Sequence, residues 1–387
     1  MEGSEGGYET VATVEKGSLE RRVALLVFCI FSVITLFDKR RKPAQIQGLL
    51  GYLILSFILW AFMSIAWADD PSLVARRVLV LGILSIAALS TASCFSLFEI
   101  VNLTFFICAF TLLISICGEV WLGVMQPFQE SYRFSGIMHP VSQGWNCSLL
   151  VISGVVLARN SNHRRPFNII VALTAFVFLV FTKSRMSLAG TLIALLIAVG
   201  IGWSGNQRKK FMFAILFLGF LICLQYFILG ESLIHQGKWV LHLGRGDEGL
   251  ASVGTLSGRT LVWKELLRYA AENPILGYGY NAFWTKQHIY HLSGMAWYPS
   301  HSHSGYVHTL LCLGVVGLSM LILIFCVALK RSIVLLKRST QFHFVCALLT
   351  WVIWNSFTES TLLTEAIFPT FLGMTLLALL GFFRDID

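Results

Sequence analysis

GYVHTLLCLGVVGLSMLILIFCVAL, residues 305–329, runs for twenty-five residues without a Lys, Arg, Asp or Glu. As an α-helix it would be about 37 Å long, enough to cross a hydrocarbon core of about 30 Å. Lipid offers no partner to a backbone N–H or C=O, so such a run must close its own hydrogen bonds and does so as a helix. The same pattern recurs along the chain, over 22–37, 48–67, 77–95, 100–118, 142–158, 168–182, 186–203, 211–230, 342–358 and 365–383. Together these predict an all-α, polytopic integral membrane protein with about 11–12 transmembrane helices. Composition agrees: 56% of the residues are hydrophobic and only 13% charged, and a mean hydropathy of +0.74 fits no soluble domain.

Upstream of the 305–329 run, the polar interruption 231–304 divides the chain. The expected organisation is a disordered tail over 1–21, an N-terminal bundle of about eight spans over 22–230, a large loop over 231–304, and C-terminal helices over 305–387. The tail is rich in Gly, Glu, Ser and Thr and lacks the apolar core of a cleavable signal. Basic residues collect at Lys39–Lys42, at Arg159 with Arg164 and Arg165, at Arg208–Lys210, and at Lys330, Arg331, Lys337 and Arg338. These fall at every second connector, which puts them all on the cytoplasmic side and the 231–304 loop outside. The net charge of +9 is thereby explained by topology, and no nucleic-acid partner is indicated. The nine cysteines lie within or beside apolar runs, with no CxxC or Cys/His ligand spacing, and read as packing residues.

Several polar groups gather at the external boundaries. Within the large loop, Arg259 opens a stretch in which Leu261, Leu266, Tyr269 and Ala270 share one side of a helix that ends at Asn273-Pro274. The aromatic residues that follow (Tyr278, Tyr280, Phe283, Trp284, Trp297 and Tyr298) suit either stacking on sugar rings or an interfacial belt. At the end of the loop stand His301 and His303. A neutral imidazole there can act as general base; an HxH metal pair, for which no third ligand lies nearby in sequence, and ordinary boundary residues are the alternatives. Glu359, between the last two spans, would orient a base or pair with an arginine.

Cations form the other theme. Lys183 and Arg185 flank Ser184 in a turn that the topology places outside, against the positive-inside trend, as it does Arg77, Arg133 and Arg259. Helix-end cations can snorkel to the interface. Guanidinium groups on one external face would instead bind an anion such as a diphosphate. Asp69 and Asp70 offer two adjacent carboxylates, for which loop solvation is the simpler reading than a cation site. No metal site is expected.

Taken in order, TKSRMSL at 182–188, SGRTLVWKELLRYAAENPILGYGYNAFW at 257–284 and HSHSGYVHTLLCLGVVGL at 301–318 resemble motifs of the O-antigen ligase and polymerase superfamily of bacterial membrane glycosyltransferases. RFSGIMHP at 133–140 and WADDPSLVARR at 67–77 add shorter matches, and Ser304 stands where the family often has Asn. The resemblance implies a glycan donor carried on undecaprenyl diphosphate, and an acceptor that is lipid A-core or another glycan repeat unit. It implies an active site on the periplasmic face of the inner membrane, without nucleotide sugar, cofactor or essential metal. Arg185 and Arg259 would hold the diphosphate, and His303, or else His301, would deprotonate the acceptor hydroxyl. A lipid or polysaccharide transporter is the competing class that the composition allows, and a membrane sensor without chemistry is a third.

Overall fold

A computed structural model describes residues 19–38, 43–127, 129, 132–160, 163–201, 259–293, 301–336, 339–359 and 368–383. Among them there is no strand. The helices are α1 (Leu19–Leu36), α2 (Gly48–Met63), α3 (Pro71–Cys94), α4 (Leu97–Trp121), α5 (Pro140–Asn160), α6 (Arg165–Phe181) and α7 (Arg185–Ile201). After them come α8 (Arg259–Glu272), α9 (Lys286–Ser293), α10 (Gly305–Leu335), α11 (Phe342–Asn355) and α12 (Phe368–Phe382). All but α8 and α9 are apolar and overlap ten of the eleven expected spans; the span at 211–230 lies outside the described residues, as do the tail at 1–18 and much of the large loop. Five of the ten, α2 with the 3₁₀ turn that extends it, α3, α4, α5 and α10, are long and apolar enough to cross a membrane on their own. The protein is an all-α polytopic membrane protein. Large apolar side chains stand exposed along α1, α2 and α4, among them Phe31, Leu59 and Phe110, as lipid-facing surfaces require.

The chain packs into two compact units. The first comprises Met1–Leu97, Thr255–Arg331 and Val352–Asp387, and in it α3 packs against α1, α2 and α12. The start of α3 is set by Asp70, whose carboxylate accepts from the Leu73 N–H at 3.0 Å, followed by Pro71 at the first helical position. Asp70 is thus a helix cap, a job that needs no cation. The second unit comprises Phe98–Gly254 and Ser332–Trp351. At its centre α5 packs against α6 and α7 and is buried along most of its length. Small residues allow the approach: a Cβ on Gly154 would lie 2.9 Å from that of Ala172.

Within the first unit α10 is broken. Gly314 sits at φ 66°, ψ −169° inside it, conformational space that is essentially glycine's alone. The break frees carbonyl and N–H groups that a membrane would leave unpaired. The turn after α8 pairs them: the N–H groups of Tyr278 and Gly279 donate to the carbonyls of Leu311 and Cys312 at 2.9 and 3.0 Å, and Val315 N–H donates to the Pro274 carbonyl at 2.8 Å. Two indoles reinforce the junction, Trp60 donating to the Leu313 carbonyl at 3.1 Å and Trp67 to that of Leu276 at 3.2 Å. The Pro274–Gly279 turn is therefore a plug seated in a broken helix.

Candidate functional site

Polar groups cluster where the connector 301–304 meets the turn after α11, within the first unit. Arg259, the first residue of α8, donates through Nη2 to Glu359 Oε1 at 2.9 Å and through Nη1 to the Thr358 carbonyl. The same turn is tied to the start of α10, because Gly305 N–H donates to the Ser356 and Glu359 carbonyls at 2.8 and 3.1 Å. From the other side, the Trp263 indole N–H donates to the Ser302 carbonyl at 2.7 Å, and the Ser302 hydroxyl closes onto the Ser304 carbonyl at 2.7 Å. So anchored, the strap places the rings of His301 and His303 3.9 Å apart, centroid to centroid. His303 takes a positive φ of 50°, unusual for a residue with a Cβ and a sign that its surroundings hold it there.

The electrostatics of this cluster favour neutral imidazoles. Burial, then the neighbouring His301 and the positive charge of Arg259, push His303 down to about 3. His301 is lowered by burial and by Arg259. Burial pushes Glu359 up, opposed by the charge and hydrogen bond of Arg259. Each histidine thus offers an unprotonated ring nitrogen at neutral pH, beside the Arg259–Glu359 ion pair. One donor nitrogen of each histidine and a carboxylate oxygen of Glu359 lie within 4.8 Å of one another, so the fold supplies the third metal-capable group that no neighbour in sequence provides.

Behind the strap lies a buried network that the sequence reading missed. His308, on the first turn of α10 after the strap, receives the Trp284 indole N–H on Nδ1 at 3.4 Å and engages the Asn281 side-chain oxygen through Nε2. With Nδ1 accepting, the proton sits on Nε2. Arg77 donates to the backbone carbonyl of the same Asn281, which itself adopts φ 57°. Arg77 therefore braces the 277–285 turn in addition to carrying charge. The available signal was His308 itself, an ionisable residue inside an apolar run.

The aromatic residues of the turn serve neither of the uses that the sequence suggested. Tyr278, Phe283 and Trp284 are buried with Val262, Leu266, Ala270, Ile289, Leu292 and Leu311 in one core beneath α8 and α9. Leu261, expected on the buried side of α8, is exposed, and Val262 takes its place. Trp297 and Tyr298 lie outside the described residues.

In the second unit, Arg133 donates through Nε to the Thr182 carbonyl at 3.3 Å, and Phe134 N–H to that of Phe181 at 2.9 Å. This seats Arg133 against the turn that carries Lys183 and Arg185. Burial, and next the charge of Arg185, lower the proton affinity of Arg133, so two guanidinium groups are held within each other's field, an arrangement that an anion relieves. The 132–136 loop is held by a carboxylate unnoticed in the sequence. Glu119 Oε1 accepts from the N–H groups of Ser135 and Gly136 at 2.9 and 2.7 Å, and the Tyr132 hydroxyl donates to Oε2. Glu119→Gln is expected to destabilise the protein by roughly 1–3 kcal/mol, since the Ser135 and Gly136 N–H groups and the Tyr132 hydroxyl lose a charged acceptor. A thermal midpoint equal to that of wild type would show that Glu119 does not hold the loop.

The eight residues singled out in the sequence thus fall into two groups. Arg77, Arg259, His301, His303 and Glu359 belong to the first unit, with Arg259, Glu359 and the two histidines in one cluster; Arg133, Lys183 and Arg185 belong to the second. What fold and site define is a polytopic helical membrane protein with a boundary cluster of neutral histidines, arginine and carboxylate. Residues 170–322 match the family model of the O-antigen ligases, so this stretch is similar to that family. The match takes in Lys183, Arg185, Arg259, His301 and His303, while Arg77, Glu119, Arg133 and Glu359 lie outside it. No curated protein matches the chain.

Proposed function

We propose that this protein transfers a glycan from undecaprenyl diphosphate to an acceptor hydroxyl, with lipid A-core as the acceptor, at the periplasmic face of a bacterial inner membrane. The observation that carries the reading is the pairing of an unprotonated His303 with the Arg259–Glu359 pair in a cluster at the head of α10. His303 takes the proton of the acceptor hydroxyl as its oxygen attacks the anomeric carbon. The bond from that carbon to the diphosphate oxygen breaks, and the carrier leaves as its diphosphate anion. Arg259 stabilises charge that grows on the leaving group, the kind of interaction that lowers a barrier because it strengthens toward the transition state. In the resting protein Glu359 holds that guanidinium in place. Direct attack inverts the anomeric configuration. Lys183, Arg185 and Arg133 are assigned to anion binding in the second unit, and the chemistry calls for neither nucleotide sugar nor metal.

The test incubates the purified full-length protein with an undecaprenyl diphosphate-linked oligosaccharide and offers lipid A-core or a second lipid-linked repeat unit. Transfer to lipid A-core supports the ligase; growth of the lipid-linked glycan instead marks a polymerase. Arg259→Ala is expected to lower kcat/KM about 10²–10³-fold, and Arg259→Lys by less, since a point charge replaces a two-pronged donor. Unaltered transfer by Arg259→Ala would remove the arginine from the mechanism. Binding of the carrier without transfer to any acceptor would favour a transporter.

A further inference from the structure

We propose that His301, His303 and Glu359 form a binding site for a divalent transition-metal ion, and that the ion, when bound, blocks the site rather than serving it. The donor set is two imidazole nitrogens and one carboxylate oxygen, all within 4.8 Å of one another. This set suits zinc and its neighbours in the first transition row, whereas calcium and magnesium prefer oxygen ligands alone. A tetrahedral ion with bonds of about 2.0–2.2 Å needs its donors about 3.4 Å apart. Donors within 4.8 Å of one another reach that spacing through small rotations of the imidazole and carboxylate side chains. Their backbones are fixed for it: Trp263 holds Ser302 between the two histidines, and Gly305 N–H holds the Glu359 carbonyl.

What keeps the set from being a resident metal site is Arg259. Its guanidinium occupies Glu359 Oε1 at 2.9 Å and brings a positive charge to the place where a dication would sit. Arg259 and the ion are thus competing partners for one carboxylate. Metal binding separates the ion pair and ties up a ring nitrogen of His303. The inhibitory consequence rests on the role proposed above for His303 and Arg259; the binding itself does not.

Cobalt(II) titrated into the full-length protein in detergent reports on the site through its visible d–d absorption, and zinc is then added to displace it. The expected result is one ion per chain, bound at least tenfold more weakly by His301→Ala and by Glu359→Gln. Glu359→Asp, which keeps a carboxylate, retains binding and guards against loss through misfolding. Arg259→Ala is expected to bind the ion at least tenfold more tightly than wild type, an outcome that no adventitious surface site would give. No stoichiometric ion on the wild-type protein, or an affinity indifferent to His301→Ala and Glu359→Gln, overturns the site; an affinity unchanged by Arg259→Ala overturns the competition. In the transfer assay, zinc is expected to inhibit at concentrations that match its binding. A protein that binds the ion and transfers no glycan sinks the transferase reading alone, and one that transfers glycan but binds no ion sinks the metal site alone.

Discussion

His303→Asn is expected to fold as wild type does and to transfer glycan about 10²–10⁴-fold more slowly, the usual contribution of a positioned general base. Asparagine is chosen because residue 303 sits at φ 50°, where alanine would add backbone strain and asparagine adds little. Loss of activity with an unchanged thermal midpoint then reports chemistry and not folding. His301 shares the strap and lies against His303, so it is the internal comparison: His301→Asn is expected to slow transfer less than tenfold. The reverse pattern would make His301 the base. Transfer by His303→Asn within about threefold of wild type would remove the imidazole from the mechanism altogether. The low proton affinity of His303 bears on the same point, since burial causes most of it and the charges of His301 and Arg259 add to it. A donor diphosphate that engages Arg259 offsets that charge, which strengthens the base once substrate is present.

Much of the fold is legible in the sequence, for a simple reason. Lipid forces each spanning segment to satisfy its own backbone, so long uncharged runs announce themselves. Ten of the expected spans coincide with helices, although boundaries moved by several residues, as at α3, which begins at Pro71 behind its Asp70 cap. The motif residues were legible as types: a strap of histidines, an arginine opening a helix, a lone glutamate between spans. What the sequence could not supply was partnership across distance. Glu359 meets Arg259 one hundred positions away, and Glu119 caps a loop whose N–H groups belong to Ser135 and Gly136. Asn281 meets His308 through an atom pairing that no periodicity encodes. Face assignment also erred by one residue on α8, where Val262 and not Leu261 is buried, because the core there is set by the turn and α9 packed beneath it.

The largest structural effect is expected at Gly314. Gly314→Ala should abolish accumulation of correctly folded protein, because three costs coincide at one residue. Its backbone lies at φ 66°, ψ −169°, where a side chain costs about 1–3 kcal/mol. A Cβ there would overlap the Ile275 carbonyl group, and relieving such a clash costs about another 1–3 kcal/mol. Shifting the turn to make room would also break the hydrogen bonds from Tyr278, Gly279 and Val315, which pair the groups freed by the break in α10. The sum is comparable with the whole stability of a typical domain. Gly277→Ala, at φ 68° and with its Cβ 2.6 Å from the Leu311 carbonyl oxygen, should fail in the same way from the other side of the junction. Gly373→Ala in α12 is the matched control, since nothing lies within 4 Å of a Cβ there, and helix propensity alone would make it neutral or stabilising by up to about 1 kcal/mol. Size-exclusion profiles and thermal midpoints of the three purified variants decide the matter. A monodisperse Gly314→Ala protein as stable as Gly373→Ala would mean that the plug in the broken helix does not hold the head of α10 in place, and the account of how the histidine strap is positioned would fall with it.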